Sequence, residues 1–315
     1  MSKPEVYGIK PIMKPFSIAT FNLYNLFMNP PETAVPLSAR LSKLTLAIKD
    51  TLLLPEIIAV QEVDSTAVLQ QLAIQLNKHT GADYQAAAHA TSDRRGIQVG
   101  VLYDQSRVIG NRLWQMSGPE VEAAFGISSF SPGREPFVGE FVVGDRLSGG
   151  RPLTLIVNHF KSNYVGEADP ALHEQMRQAG EAQRMAQAQV VRDFVNDLLA
   201  ADSAAWVLVA GDLNDCPRRA RRDGRTSPVT ILEGSAAETP LVNLLMSQGN
   251  PFTYTFFWEG DTMILDHLLA SPTLAQQLTA VRVPHINTPF SPDFGHDPTT
   301  PFRSSDHDPL IAWFG

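Results

Sequence analysis

Six short apolar runs in this chain each meet a polar residue of a kind that does chemistry. Phe16 to Phe21 ends at Asn22, and Glu56 to Gln61 ends at Glu62. Leu153 to Val157 runs on to His159, and Trp206 to Ala210 passes through Gly211 to Asp212. Met263 to Ala270 carries Asp266, and Asp306-His307 stand just before Leu310 to Phe314. Runs of this length bounded by turn residues read as buried strands. Ligands of α/β proteins gather where strand ends open onto loops, so six such ends predict one shared edge.

Helical patterns separate the strands. Leu37, Leu41, Leu44, Ile48 and Leu52 share one helix face. Asp64 or Ser65 is placed to cap a helix carrying Val68, Leu72 and Leu76 inward. The longest helix is expected between about Pro170 and Ala200, with Leu172, Met176, Ala179, Val190, Phe194 and Leu198 as its core stripe. Ile97, Val99, Val101 and Tyr103 alternate as a strand, and Phe137 to Val143 gives another. Thr253 to Phe257 reads as one more core strand, with an exposed aromatic hairpin over 253–258 suited to lipid as the alternative. With 315 residues and no repeat or long linker, the expectation is one domain over 16–315 behind an N-terminal extension, 1–15.

The single cysteine, Cys216, excludes an internal disulfide framework. The N-terminus lacks an apolar signal-like stretch, and no run approaches about 20 apolar residues. A cytoplasmic protein is therefore expected, or an exported one if a leader has been removed. The formal net charge of −8 argues against a protein that coats nucleic acid by bulk attraction. It leaves room for an enzyme that touches a few phosphates through a metal ion. Oligomeric state is not legible.

The polar residues sort by chemistry. Glu62 follows a buried strand, so its carboxylate must be solvated, paired or bound to a cation. His159 and Lys161 alternate on one face of an extended segment that also holds Asn163, and both cations can face a phosphate. In "GDLND" the spacing of Asp212 and Asn214 lets a carboxylate and an amide converge on one reacting group. Asp266 sits inside an apolar run and needs a partner, while His267 points to the opposite face. Asp266 can orient His307 as a triad carboxylate orients its histidine, with Asp306 as a hard oxygen ligand. Asp308 reads as a turn residue. Bland alternatives exist for each residue alone: turn, helix cap or solvated strand end.

Taken in order, FN, QE, NH, GDLN, LDH and SDH resemble the endonuclease/exonuclease/phosphatase superfamily, the deoxyribonuclease-I-like fold. "RRGIQVGVLYD" and "RPLTLIVNHFKSN" further resemble its bacterial branch that opens with FN-x-x-NLF. The resemblance spans residues 16 to 314. It implies a four-layer αββα sandwich of two mixed, mainly antiparallel sheets flanked by helices. It also implies that Asn22, Glu62 and Asp306 surround Mg²⁺ or Mn²⁺, that His159 and Asn214 meet the scissile phosphate, that Asp212 lies beside the attacking water, and that His307 is the acid/base held by Asp266.

Subfamily features narrow the substrate in part. Val63-Asp64 replaces the Thr-Lys typical after the metal Glu of AP endonucleases, and Asp215-Cys216 departs from the inositol-polyphosphate phosphatase continuation. What remains is metal-dependent phosphodiester hydrolysis, with DNA or RNA as the first expectation and a phospholipid or small phosphoester as the alternative. A non-catalytic binding protein is disfavoured because no motif residue is lost. The basic run after GDLND, with Arg218, Arg219, Arg221, Arg222 and Arg225, suits flanking phosphates, and Arg134 is a further candidate. Arg95 is expected to pair within the fold.

Overall fold

The computed structural model describes residues 15–144, 150–166, 169–217, 226–249 and 253–315. The N-terminal extension and the arginine run at 218–225 lie outside the described residues, apart from Pro15. One six-stranded sheet has the order β13 (Leu278–Arg282), β14 (Leu310–Phe314), β1 (Phe16–Leu26), β2 (Ile57–Val63), β4 (Gln98–Asp104), β3 (Tyr84–Ala88). The other has the order β5 (Ile109–Gln115), β6 (Arg134–Val143), β7 (Arg151–His159), β8 (Trp206–Asp212), β12 (Asp266–Ala270), β9 (Val242–Asn243). β1 with β2 and β7 with β8 pair in parallel, and the remaining ladders are antiparallel.

Side-chain parity explains the layering. Phe16, Ile18, Ile57, Ala59, Leu155, Val157, Leu208, Ala210, Leu310 and Ala312 pack together between the sheets. Their neighbours point the other way. Ala19, Phe21, Ile58 and Val60 meet helices α1 (Leu37–Leu46) and α2 (Thr66–Thr80). Ile156, Val207 and Val209 meet α3 (Pro119–Phe125) and α4 (His173–Ala201). The central strands β1, β2 and β8 are buried on both faces, which is why they read as continuous apolar runs. Two mixed sheets flanked by helices form the four layers expected.

Local signals hold in part. The Ser65 Oγ accepts from the Val68 backbone N–H at 3.3 Å and caps α2. α1 continues into a π-helical turn at Ala47–Thr51, so Ile48 and Leu52 still reach the core.

Two expectations are overturned, the first in part. The fully buried face of α4 is Gly180, Gln183, Arg184, Gln187, Ala188, Val191, Arg192, Val195 and Leu199; of the stripe read in sequence, Val190, Phe194 and Leu198 pack partly buried against the core, while Leu172 is exposed. Polar side chains occupy that face because they bind backbone carbonyls at helix ends and in loops. Arg192 donates to the Leu232 and Thr239 carbonyls at 3.0 and 2.6 Å. Gln183 donates to the Ala124 and Ser131 carbonyls at 3.1 and 2.8 Å. The Thr253 to Phe257 segment is also not a core strand. Phe256–Trp258 (β10) pairs with Asp261–Met263 (β11) as a separate hairpin, leaving Phe257 48% and Trp258 53% exposed. This also splits the expected Met263 to Ala270 run, whose sheet strand starts only at Asp266.

Candidate functional site

Strand parity sends the polar residues into one cleft. Asn22 follows Ile18 on the inner face of β1, and Asp212 follows Leu208 and Ala210 on the inner face of β8. They meet across the gap, the Asn22 Nδ2 donating to the Asp212 Oδ2 at 3.2 Å. His159 lies in register with Asp212 on the neighbouring strand, with its Nε2 3.5 Å from Asp212 Oδ2. His307 approaches from the loop before β14, its Nε2 3.8 Å from the same carboxylate oxygen. Its Nδ1 stands 2.8 Å from Asp266 Oδ2, the arrangement that fixes a histidine's tautomer and orientation.

Glu62 needs a special device. On β2, Ile58 and Val60 face the helices, so simple alternation would send residue 62 after them. Glu62 instead adopts φ 61°, in the left-handed region, at a break in register with β4. A bulge adds a residue and changes which face the following side chains take. The carboxylate then reaches 3.8 Å from His159 Nε2 on the opposite sheet and accepts from the Asn25 N–H at 3.0 Å. Asn214 also has a positive φ, 51°. Its N–H donates to Asp212 Oδ1 at 2.9 Å, and its Nδ2 donates to the Phe160 carbonyl at 3.1 Å. Strained backbone in non-glycine residues clusters at functional sites, and both residues lie in this cleft.

The electrostatics divide the two histidines. Burial, reinforced by Arg134 and Arg95, holds His159 well below the usual imidazole range. Burial would also lower His307, but Asp266 and Asp212 outweigh it and hold that imidazole well above its usual range. Burial pushes Asp212 up to about 7, against the pull of His307. Asp306 is raised first by burial, and the Glu62 charge pushes it further the same way.

Two groups could hold a cation. Asn22, Glu62 and Asp306 offer amide and carboxylate oxygens, the donor set of a hard divalent ion. The mutual repulsion of Glu62 and Asp306 is what such an ion relieves. Asp212, Asp266 and His307 also offer ligand atoms that all lie within 4.8 Å of one another.

The remaining candidates divide. Lys161 is partly buried, donates to the Ser162 carbonyl at 2.8 Å and is lowered to about 8 by burial and then by Arg134, Arg184 and Arg95. Asn163 Nδ2 donates to the Asn214 carbonyl at 2.7 Å, which ties the segment after β7 to the GDLND turn. Arg134 does not take the part expected of it, whereas Arg95 pairs within the fold as expected, 3.8 Å from Asp93. Arg134 is buried, held 3.1 Å from Asp93 and donating to the Phe160 carbonyl at 2.6 Å, so its charge is spent inside the fold. Arg95 is the exposed one. Arg218, Arg219, Arg221 and Arg222 lie outside the described residues.

Sequence reasoning missed the supports of the His307 loop. Asp308 is a buried hub, accepting from the Asn287 N–H at 2.7 Å and standing 2.7 Å from His285 Nδ1. Asn287 donates to the His307 carbonyl at 2.6 Å. The ring of Phe256 lies 4.6 Å from that of His307. The third acidic or basic residue of "SDHD" was the available signal for Asp308. Nothing local marks Asn287 or Phe256, which act from distant segments. His267, buried on the opposite face, stands with its Nε2 2.9 Å from the Asp215 carbonyl.

The two facing sheets thus hold a cleft lined by carboxylates, amides and histidines. The sequence model of the Endonuclease/Exonuclease/phosphatase family matches residues 33–296, and the chain belongs to that family. No curated protein sequence matches it. Among solved structures it resembles an endonuclease/exonuclease/phosphatase from Bacteroides vulgatus, with TM-score 0.64, 16% identity and coverage of 96% of this chain and 99% of that one. It also resembles D. rerio TDP2 complexed with a single-strand DNA product, with TM-score 0.59, 18% identity and coverage of 96% and 99%. The human Nocturnin catalytic domain with bound sulfate gives TM-score 0.59, 16% identity and coverage of 96% and 94%.

Proposed function

We propose that this chain hydrolyses phosphodiester bonds of nucleic acid with the help of a divalent cation, Mg²⁺ or Mn²⁺, at Asn22, Glu62 and Asp306. The observation that carries the reading is the convergence of Asn22, His159 and His307 on one oxygen of Asp212, at 3.2, 3.5 and 3.8 Å. A phosphodiester is anionic, so its hydrolysis needs positive charge on the non-bridging oxygens and an activated in-line water. Bound at those oxygens, a divalent cation would supply charge to the phosphate and acidify a bound water.

The chain's own residues divide the rest. Asp212, free to take a proton near neutral pH, is placed as the base beside the water. His307, kept charged by Asp266, donates to the phosphate oxygens or the leaving group. His159 and Asn214 position the phosphate as hydrogen-bond partners. This division assigns Asp212, Asp266 and His307 to proton handling rather than to holding the ion, because His307 Nδ1 already faces Asp266. Nucleic acid is favoured by the likeness to TDP2, whose structure holds a single-strand DNA product.

The exposed hairpin bearing Phe257 and Trp258 supports a second reading, a phospholipid substrate, since exposed aromatics suit a lipid interface. One assay set separates the two. Plasmid DNA, single-stranded RNA, bis-p-nitrophenyl phosphate and phospholipid vesicles are compared in Mg²⁺, Mn²⁺ and EDTA, with His307→Ala as control. Cleavage of nucleic acid that EDTA stops and His307→Ala lowers at least about 100-fold is expected. Activity surviving both treatments refutes the mechanism.

A further inference from the structure

A groove opens beyond His159, between the loop before β6 and the segment after β7. It encloses about 380 Å³ and is lined by Arg94, Arg95, Arg134 and Lys161 against one carboxylate, Asp93. Asp93 is already engaged, 3.1 Å from Arg134 and 3.8 Å from Arg95. A chain of net charge −8 has thus gathered surplus positive charge on one wall, next to its cleft. A second hollow of about 210 Å³ shares Phe130, Lys161 and Tyr164 with the first and extends it to Arg177 and Arg184. Phe130 and Tyr164 line both, and they are 56% and 67% exposed. Cations set among exposed aromatic rings match what an unpaired, stacked strand requires: charge for its phosphates and flat faces for its bases. A duplex keeps its bases inside, and a simple anion has no use for the rings.

We propose that this groove binds the single-stranded nucleic acid segment flanking the cleaved bond, its phosphates on Arg94, Arg95 and Lys161 and a base stacked on Phe130 or Tyr164. The inference rests on the nucleic-acid reading above and adds where the strand runs and that it is unpaired there. It also predicts that the enzyme prefers single strands, or frayed ends, to intact duplex.

The test uses the full chain with His307→Ala, in Mg²⁺, to bind without cutting. A single-stranded oligonucleotide carrying 2-aminopurine reports stacking by fluorescence quenching. The parent should quench it. Adding Phe130→Ala and Tyr164→Ala should abolish the quench and weaken binding about tenfold. Arg94→Glu, at an exposed position where folding is not at stake, should lower the slope of log affinity against log salt by about one.

Equal quenching and affinity in parent and double variant overturn the groove while nucleic-acid cleavage by the wild-type chain stands. Failure of the wild-type chain to cleave any nucleic acid overturns the functional reading, and the groove with it. Anionic phosphatidylglycerol vesicles form the remaining arm. Vesicle binding that the same substitutions abolish, with oligonucleotide binding untouched, assigns the groove to lipid and refutes the proposal.

Discussion

At the scale of single residues, the site depends on side chains placed against their local preference. Glu62 holds a left-handed backbone so that its carboxylate leaves the helix-facing side of β2. Lys161 is crowded by burial and by three arginines until its pKa falls to about 8. The sign of its pH effect follows directly. The ammonium is charged below pH 8 and attracts a substrate phosphate there, and the attraction is lost as pH rises through 8. KM for a phosphodiester should therefore rise several-fold between pH 7 and pH 9. Lys161→Arg, charged throughout, should flatten that rise. An unchanged KM profile in the variant would place Lys161 away from the substrate.

At the scale of elements, the parallel pair β7 and β8 sets a hard constraint. Gly211 opposes Asn158 in the ladder and has φ +134°, and a Cβ there would stand 2.0 Å from the Asn158 carbonyl oxygen. Only glycine lets the strand approach so closely one residue before Asp212. Gly211→Ala should destabilise the fold by about 3 kcal/mol, through strain and overpacking together. Denaturant titration checks it, and an unmoved midpoint would refute the account.

The elements also show what the sequence carries and what it hides. Strands with both faces buried were legible as apolar runs, and the polar residues that end them gave Asn22, His159, Asp212 and Asp266 directly. The bulge at Glu62 was not legible, because its φ leaves no compositional mark. The core face of α4 was legible only in part, because Gln183, Gln187 and Arg192 are buried against backbone carbonyls, and hydropathy counts such residues as surface. The β10–β11 hairpin misled for the converse reason: Phe257 and Trp258 are apolar yet exposed.

At the scale of the whole molecule, the proposed roles divide between the sheets. Asn22, Glu62 and Asp306 belong to the sheet of β1, β2 and β14, whereas His159, Asp212, Asn214 and Asp266 belong to that of β7, β8 and β12. His307 joins them through Asp266. Neither sheet alone holds a working set, so activity should return during refolding with the near-ultraviolet circular dichroism of docked sheets, not with the earlier far-ultraviolet signal. Activity preceding the tertiary signal would show that one sheet suffices. The order of synthesis adds a consequence. β14 seats between β13 and β1, and Asp306 and His307 arrive just ahead of it. A chain still emerging from the ribosome therefore carries Asn22, Glu62, His159 and Asp212 before Asp306 and His307 can join them.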